Sequence, residues 1–200
     1  MALVISADEI KKQLPNYSPE KAEIFHEESA RLADEQFEKE VDESDFNEVI
    51  LLCGGSASGK SEFLYSKLIN ENYIIFDGTL SSIKRAEDKI KKIMKAKKKP
   101  VIYGVIPDDL RRAFDAFLGR DRKFRDSHFY RTHSSSRKTL LKIVQKYPNI
   151  MVNLIESFYS EQQSLQFENL LFNNRQQLIR YLADIQKTKS DIITIIQSTL

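Results

Sequence analysis

Gly54-Gly55-Ser56-Ala57-Ser58-Gly59-Lys60-Ser61 fits G-x-x-x-x-G-K-[ST] at every fixed position, and no other stretch limits the fold so tightly. Glycines let such a loop turn sharply and present successive backbone N–H groups to phosphate oxygens. Lys60 then reaches the outer phosphates, and the Ser61 hydroxyl is placed to ligate Mg²⁺. The flanks decide between this reading and a flexible linker. Glu48-Val49-Ile50-Leu51-Leu52-Cys53 reads as a buried strand, and Glu62-Phe63-Leu64-Tyr65-Ser66-Lys67-Leu68-Ile69 reads as a helix. Gly/Ser linkers are not bracketed by apolar runs. A strand, a Gly-rich loop and a helix in that order point to a bound nucleoside triphosphate.

Four more apolar runs have strand character: Leu3-Val4-Ile5-Ser6, Tyr73-Ile74-Ile75-Phe76, Pro100 to Ile106, and Ile150 to Ile155. Between them lie helical periods. Ser18-Pro19 opens one running to about Val41, a second covers about Ser82 to Lys97, and a third lies around Arg137 to Tyr147. Near-continuous apolar strands alternating with helices predict an α/β fold: a P-loop NTPase-type parallel sheet of about five strands, with helices on both faces. Beyond Glu161 the leucines and isoleucines recur at helical spacing. Residues 1–160 therefore read as the sheet-bearing domain and 161–200 as a C-terminal helical extension. In parallel sheets ligands sit beyond the carboxyl ends of the strands. Asp8, the phosphate loop, Asp77-Gly78-Thr79 and an arginine-rich stretch from Asp108 to Lys138 all fall on that rim.

Charge and composition narrow the partners. The 31 basic residues face 29 acidic ones, a formal net charge of +2, so nothing in the balance calls for a polyanion. The lysines between Lys89 and Lys99 alternate with Ile90, Ile93 and Met94 as a solvated helix face would, and nucleic-acid binding is not expected from them. Cys53 is the one cysteine, so no internal disulfide is possible and a buried thiol is expected. No apolar run approaches a membrane span. The first dozen residues carry Asp8, Glu9, Lys11 and Lys12, unlike a signal peptide, and the expected location is cytoplasmic.

These segments resemble the zeta-toxin group of P-loop kinases. The likeness is carried by Gly54 to Ser61, by Ile75-Phe76-Asp77-Gly78-Thr79-Leu80, and by the Ile106-Pro107 strand end with its arginine lid. Ala7-Asp8-Glu9-Ile10-Lys11-Lys12-Gln13-Leu14-Pro15 with His26-Glu27-Glu28-Ser29 complete it. In the family, the D-E-I-K strand and its histidine-bearing helix follow the phosphate loop; here they precede it. Right-handed crossovers permit the change if the N-terminal strand takes the sheet edge. The resemblance then implies the family's sheet reached by a permuted connection, in the spatial order N-terminal strand, Asp77 strand, loop strand, Val101 strand and Ile150 strand.

The resemblance implies an ATP- or GTP-dependent, Mg²⁺-requiring kinase acting on a hydroxyl of a small substrate. It points to a UDP-activated amino sugar such as UDP-N-acetylglucosamine, with an antitoxin as protein partner. Asp8 matches the catalytic base, against the plainer role of a helix-capping carboxylate. Asp77 and Thr79 match a substrate-holding pair, although Asp77 also suits a water on Mg²⁺. Arg120 and Arg122 are the first candidates for the transferred phosphate and Arg125 the next. His26 faces the substrate or is a structural histidine. Two other functions fit the loop: a P-loop kinase for another small molecule or a nucleic-acid end, and a nucleotide-binding regulator with little catalysis.

Overall fold

The computed structural model describes residues 1–198. Strands β1 (Leu3–Ser6), β2 (Glu48–Cys53), β3 (Ile74–Asp77), β4 (Lys99–Pro107), β5 (Met151–Tyr159) and β6 (Leu165–Leu170) form one mixed sheet. Their spatial order is β1-β3-β2-β4-β5-β6. All neighbours pair parallel except β5 and β6, which are antiparallel. Helices α1 (Ala7–Lys12), α2 (His26–Glu43), α3 (Lys60–Phe63), α4 (Ile83–Lys95), α5 (Leu110–Leu118), α6 (Asp126–Lys146), α7 (Arg175–Asp184) and α8 (Lys189–Gln197) surround it.

The strands bury both faces. Along β2, Val49, Leu51 and Cys53 enter one apolar cluster, while Ile50 and Leu52 enter another on the opposite side. The first cluster takes Phe37 and Val41 from α2, Ala86, Ile90 and Ile93 from α4, and Leu140, Ile143 and Val144 from α6. The second is closed by Phe63 and by Leu64 and Leu68 of a π-helical turn that continues α3. Truncating a fully buried Leu51 or Ile50 to alanine costs about 2–5 kcal/mol.

The N-terminal strand does take the edge, with Ser6 in register with Asp77. A long connection through α1 and α2 carries the chain from β1 past one strand position to β2, and β3 later fills the gap. Asp8, two residues beyond Ser6, is thereby brought beside the carboxyl end of β3.

Five expectations are corrected. The sheet has six strands, not five, and the C-terminal segment is not helical throughout: it opens with β6. In Leu165-Gln166-Phe167-Glu168-Asn169-Leu170 the apolar residues at 165 and 167 alternate with polar ones, a period of two hidden beneath leucines at helical spacing. The helix placed around Arg137 starts instead at Asp126; the buried face of its first half mixes Phe129 with the polar Thr132, His133 and Ser136 and so shows no apolar period. The helix opened by Ser18-Pro19 is only a 3₁₀ turn, Pro19–Lys21, and α2 begins at His26. Lys89 also departs from a solvated face, being buried over the rings of Phe37 (4.6 Å) and Phe76 (4.1 Å) and paired with Asp34.

Candidate active site

The phosphate loop runs from the end of β2 to the start of α3. Gly59, at φ = 82°, caps α3 in the left-handed region where glycine alone is unstrained. Nζ of Lys60 folds back over the loop, donating to the Gly55 carbonyl (2.7 Å) and approaching Ser58 Oγ (3.4 Å). Burial lowers the pKa of this ammonium. The Ser61 hydroxyl donates to Asp77 Oδ2 at 2.9 Å. Burial raises the Asp77 carboxyl above its ordinary range, against the charge of Lys60 and the hydrogen bond from Ser61. Ser157 on β5 donates to the Ser58 carbonyl at 2.9 Å, holding the far side of the loop against the sheet.

Beside the loop opens a cavity of about 460 Å³. Ser56 of the loop, Asp77 and Thr79 line it, together with Asp8, His26, Arg120 and Arg122. Asp8 sits in the first turn of α1, ion-paired with Arg122 and with Lys11 at 3.3 Å. Burial opposes its charge, but Arg122 and Lys11 outweigh burial and hold the carboxyl below its ordinary pKa. Lys11 is itself fully buried, 4.9 Å from the Phe124 ring centre, so α1 grips the lid segment before α6 through two charged contacts. His26 packs edge-on against Phe124 (5.6 Å) and His128 (5.5 Å). Burial keeps both histidines neutral, pushing His128 down to about 3. The Thr79 hydroxyl donates to Ser81 Oγ at 3.2 Å.

Arg125 is not brought in. Its side chain is 83% exposed and reaches only Glu23, at 3.6 Å. Arg120 lines this cavity and also a smaller one, of about 160 Å³, on the other side of the loop. That second cavity lies between α5 and the β5–β6 hairpin, with Ala57, Glu62, Arg112, Ala116, Tyr159 and Leu165 on its walls. Arg112 lies over the Tyr159 ring (5.8 Å) and pairs with Asp108 (2.5 Å).

Sequence reasoning missed the support beneath the loop. The Thr132 hydroxyl accepts the Ser56 N–H (3.1 Å), and His133 Nε2 lies 2.7 Å from the Ser56 carbonyl. It also missed Arg85, Arg131, Phe124 and His128 on the cavity wall. The available signal was the run Thr132-His133-Ser134-Ser135-Ser136, small and polar in the middle of a helix, which suits close packing against a polar loop.

No family model and no curated protein matches the sequence. Among solved structures, the chain is similar to one from the native crystal structure of the AvrRxo1-ORF1:-ORF2 complex. The identity is 10% and the TM-score 0.47, over 76% of this chain and 72% of that chain. At that level the likeness carries no argument about activity. Among the described residues, no helix is long and apolar enough to cross a membrane.

Proposed function

We propose that the chain is a P-loop kinase that moves the γ-phosphate of ATP or GTP, with Mg²⁺, onto a hydroxyl of a small acceptor in the larger cavity. The observation that carries this reading is the convergence of four segments on that cavity: the phosphate loop, the Asp77 strand end, the Asp8 turn and the Arg120–Arg122 lid. The residues present fit a triphosphate. A buried ammonium whose hydrogen bonds go to a carbonyl and a hydroxyl exchanges these readily for phosphate oxygens. They fit Mg²⁺ as well, since Ser61 and Asp77 offer adjacent oxygens and this ion takes few protein ligands beside phosphates and waters. When bound, Mg²⁺ offsets charge on the phosphate oxygens.

The chain's own groups divide the remaining work. Asp8, held ionised, is ready to accept the proton of an acceptor hydroxyl. Arg122 neutralises Asp8 and is also the lid arginine nearest to it, so turning toward a transferred phosphate frees the carboxylate. Arg120, bordering both cavities, stands between nucleotide and acceptor. Thr79 and His26 face the acceptor, and Arg85 and Arg131 add cations to the same wall. An acceptor with hydroxyls and an anionic group suits that lining, and a UDP-amino sugar such as UDP-N-acetylglucosamine has both.

Incubation with γ-labelled ATP, Mg²⁺ and a panel of nucleotide sugars tests the reading. Label should pass to an acceptor, and Lys60→Ala and Asp8→Asn should each abolish most of the transfer. No transfer to any acceptor and no acceptor-stimulated hydrolysis, or rates unchanged in both variants, would contradict it.

A further inference from the structure

One buried cluster has no part in the chemistry above. Thr132 and His133, in the first half of α6, are both almost fully enclosed and both meet Ser56 in the middle of the phosphate loop. The ring of His133 has a partner at each nitrogen: Nε2 lies 2.7 Å from the Ser56 carbonyl oxygen, and Nδ1 lies 3.3 Å from Nη1 of Arg137. A guanidinium only donates, so Nδ1 is the bare, accepting nitrogen. Nε2 therefore carries the proton and donates it to Ser56. Burial, then the charge of Arg137, oppose a second proton on the ring.

The consequence reaches the loop through peptide planarity. In a trans peptide the C=O and the following N–H point in opposite directions. Holding the Ser56 oxygen against α6 thus turns the N–H of Ala57 away from α6. The preceding peptide is held in the complementary sense, its Ser56 N–H on Thr132 (3.1 Å) and its Gly55 oxygen on Lys60 (2.7 Å). Ala57 does not favour this arrangement, since its φ of 60° is a left-handed conformation that a side chain resists. Flipping the Ser56–Ala57 peptide would return Ala57 to negative φ and remove the donor. Something must oppose the flip, and the imidazole is in place to do so. Gly55 has the same logic: a Cβ there would overlap the His133 ring, so only glycine admits the ring this close.

We propose that His133, neutral and protonated on Nε2, is a positioning residue that fixes the Ser56–Ala57 peptide and aims the Ala57 N–H at a bound phosphate. The inference deepens the nucleotide-binding half of the reading above and rests on it. Titration of the purified full chain with Mg·ADP, followed by calorimetry, tests it. His133→Ala weakens binding about tenfold or more, the effect of losing one buried donor and the peptide it holds. His133→Gln, with an amide N–H of similar reach, stays within about threefold of wild type. Ala57→Gly, which removes the left-handed penalty, gains more affinity in the His133→Ala background than in wild type and so recovers part of the loss, which a merely structural histidine would not allow.

Unchanged affinity in His133→Ala, or no recovery in the double variant, overturns the proposal. Should His133→Ala fail to fold, the imidazole ¹H–¹⁵N spectrum of the wild type decides. A proton on Nε2 with Nδ1 bare supports the assignment, and a proton on Nδ1 overturns it. A wild type that binds no nucleotide refutes the kinase reading instead, and the same spectrum still decides the tautomer.

Discussion

The two cavities that meet at Arg120 differ in how their charges are used. In the smaller one Asp109 accepts the N–H groups of Arg111 and Arg112 at the start of α5 and Asp108 pairs with Arg112, while Glu62 and Arg120 also stand on its walls. Loop backbone, Ala116, Tyr159 and Leu165 complete this slot. In the larger one the charges are crowded and strained. Asp8 is held below its ordinary pKa, Asp77 above, and two histidines are kept neutral. Perturbed titratable groups in a cleft make that side the candidate for proton transfer. On the proposed reading, the difference means that one side of the loop recognises and the other reacts.

The sharpest way to break that contrast is Asp8→Asn. It should lower kcat about 10²- to 10⁴-fold with little change in nucleotide KM, measured by transfer of labelled phosphate. A rise in nucleotide KM of the same size would mean the two sides are not separate. Arg120→Ala comes next. Because it borders both cavities it should lower kcat about 10²-fold and raise KM for nucleotide and acceptor together, whereas an effect on one alone would move Arg120 to that side.

A smaller effect is expected in the slot. Ala116→Phe, which fills much of its roughly 160 Å³, should raise nucleotide KM about tenfold and leave kcat within about twofold. Loss of kcat there would contradict a purely recognising role.

The last contrast is in pH. The unfolded chain takes up protons on His26, His128 and His133 near 6.5, which the folded chain resists, for His128 down to about 3. Stability is therefore full above about pH 6.5 and is lost as pH falls below it. Melting temperature should drop between pH 7 and pH 5, and less in His128→Asn, measured by circular dichroism. Equal drops would show that His128 is not part of the strained side.

Much of this was legible in the residues. The strands read as five apolar runs because parallel strands bury both faces, and the place of the N-terminal strand at the edge beside the Asp77 strand followed from the resemblance, which crossover handedness permits. The phosphate-loop motif needs fixed residue types at fixed spacing, so its setting between a strand and a helix could be read directly. β6 was not legible, because its alternation is short and its leucines also fit a helix. Nor was the support beneath the loop: Thr132, His133 and Arg137 act through a polar helix face turned inward, and periodicity reports apolar faces only. Arg125 shows the opposite failure, since spacing within an arginine-rich lid does not reveal which guanidinium turns inward.

The most direct measurement of the central claim is a crystal structure of the chain with Mg²⁺ and a non-hydrolysable triphosphate. The account predicts the metal on Ser61 with Asp77 beside it, Lys60 moved from the Gly55 carbonyl to phosphate, and Asp8 released by Arg122 to face the terminal phosphate across the larger cavity. A triphosphate seated elsewhere, or an Asp8 carboxylate turned away from it, would contradict the account.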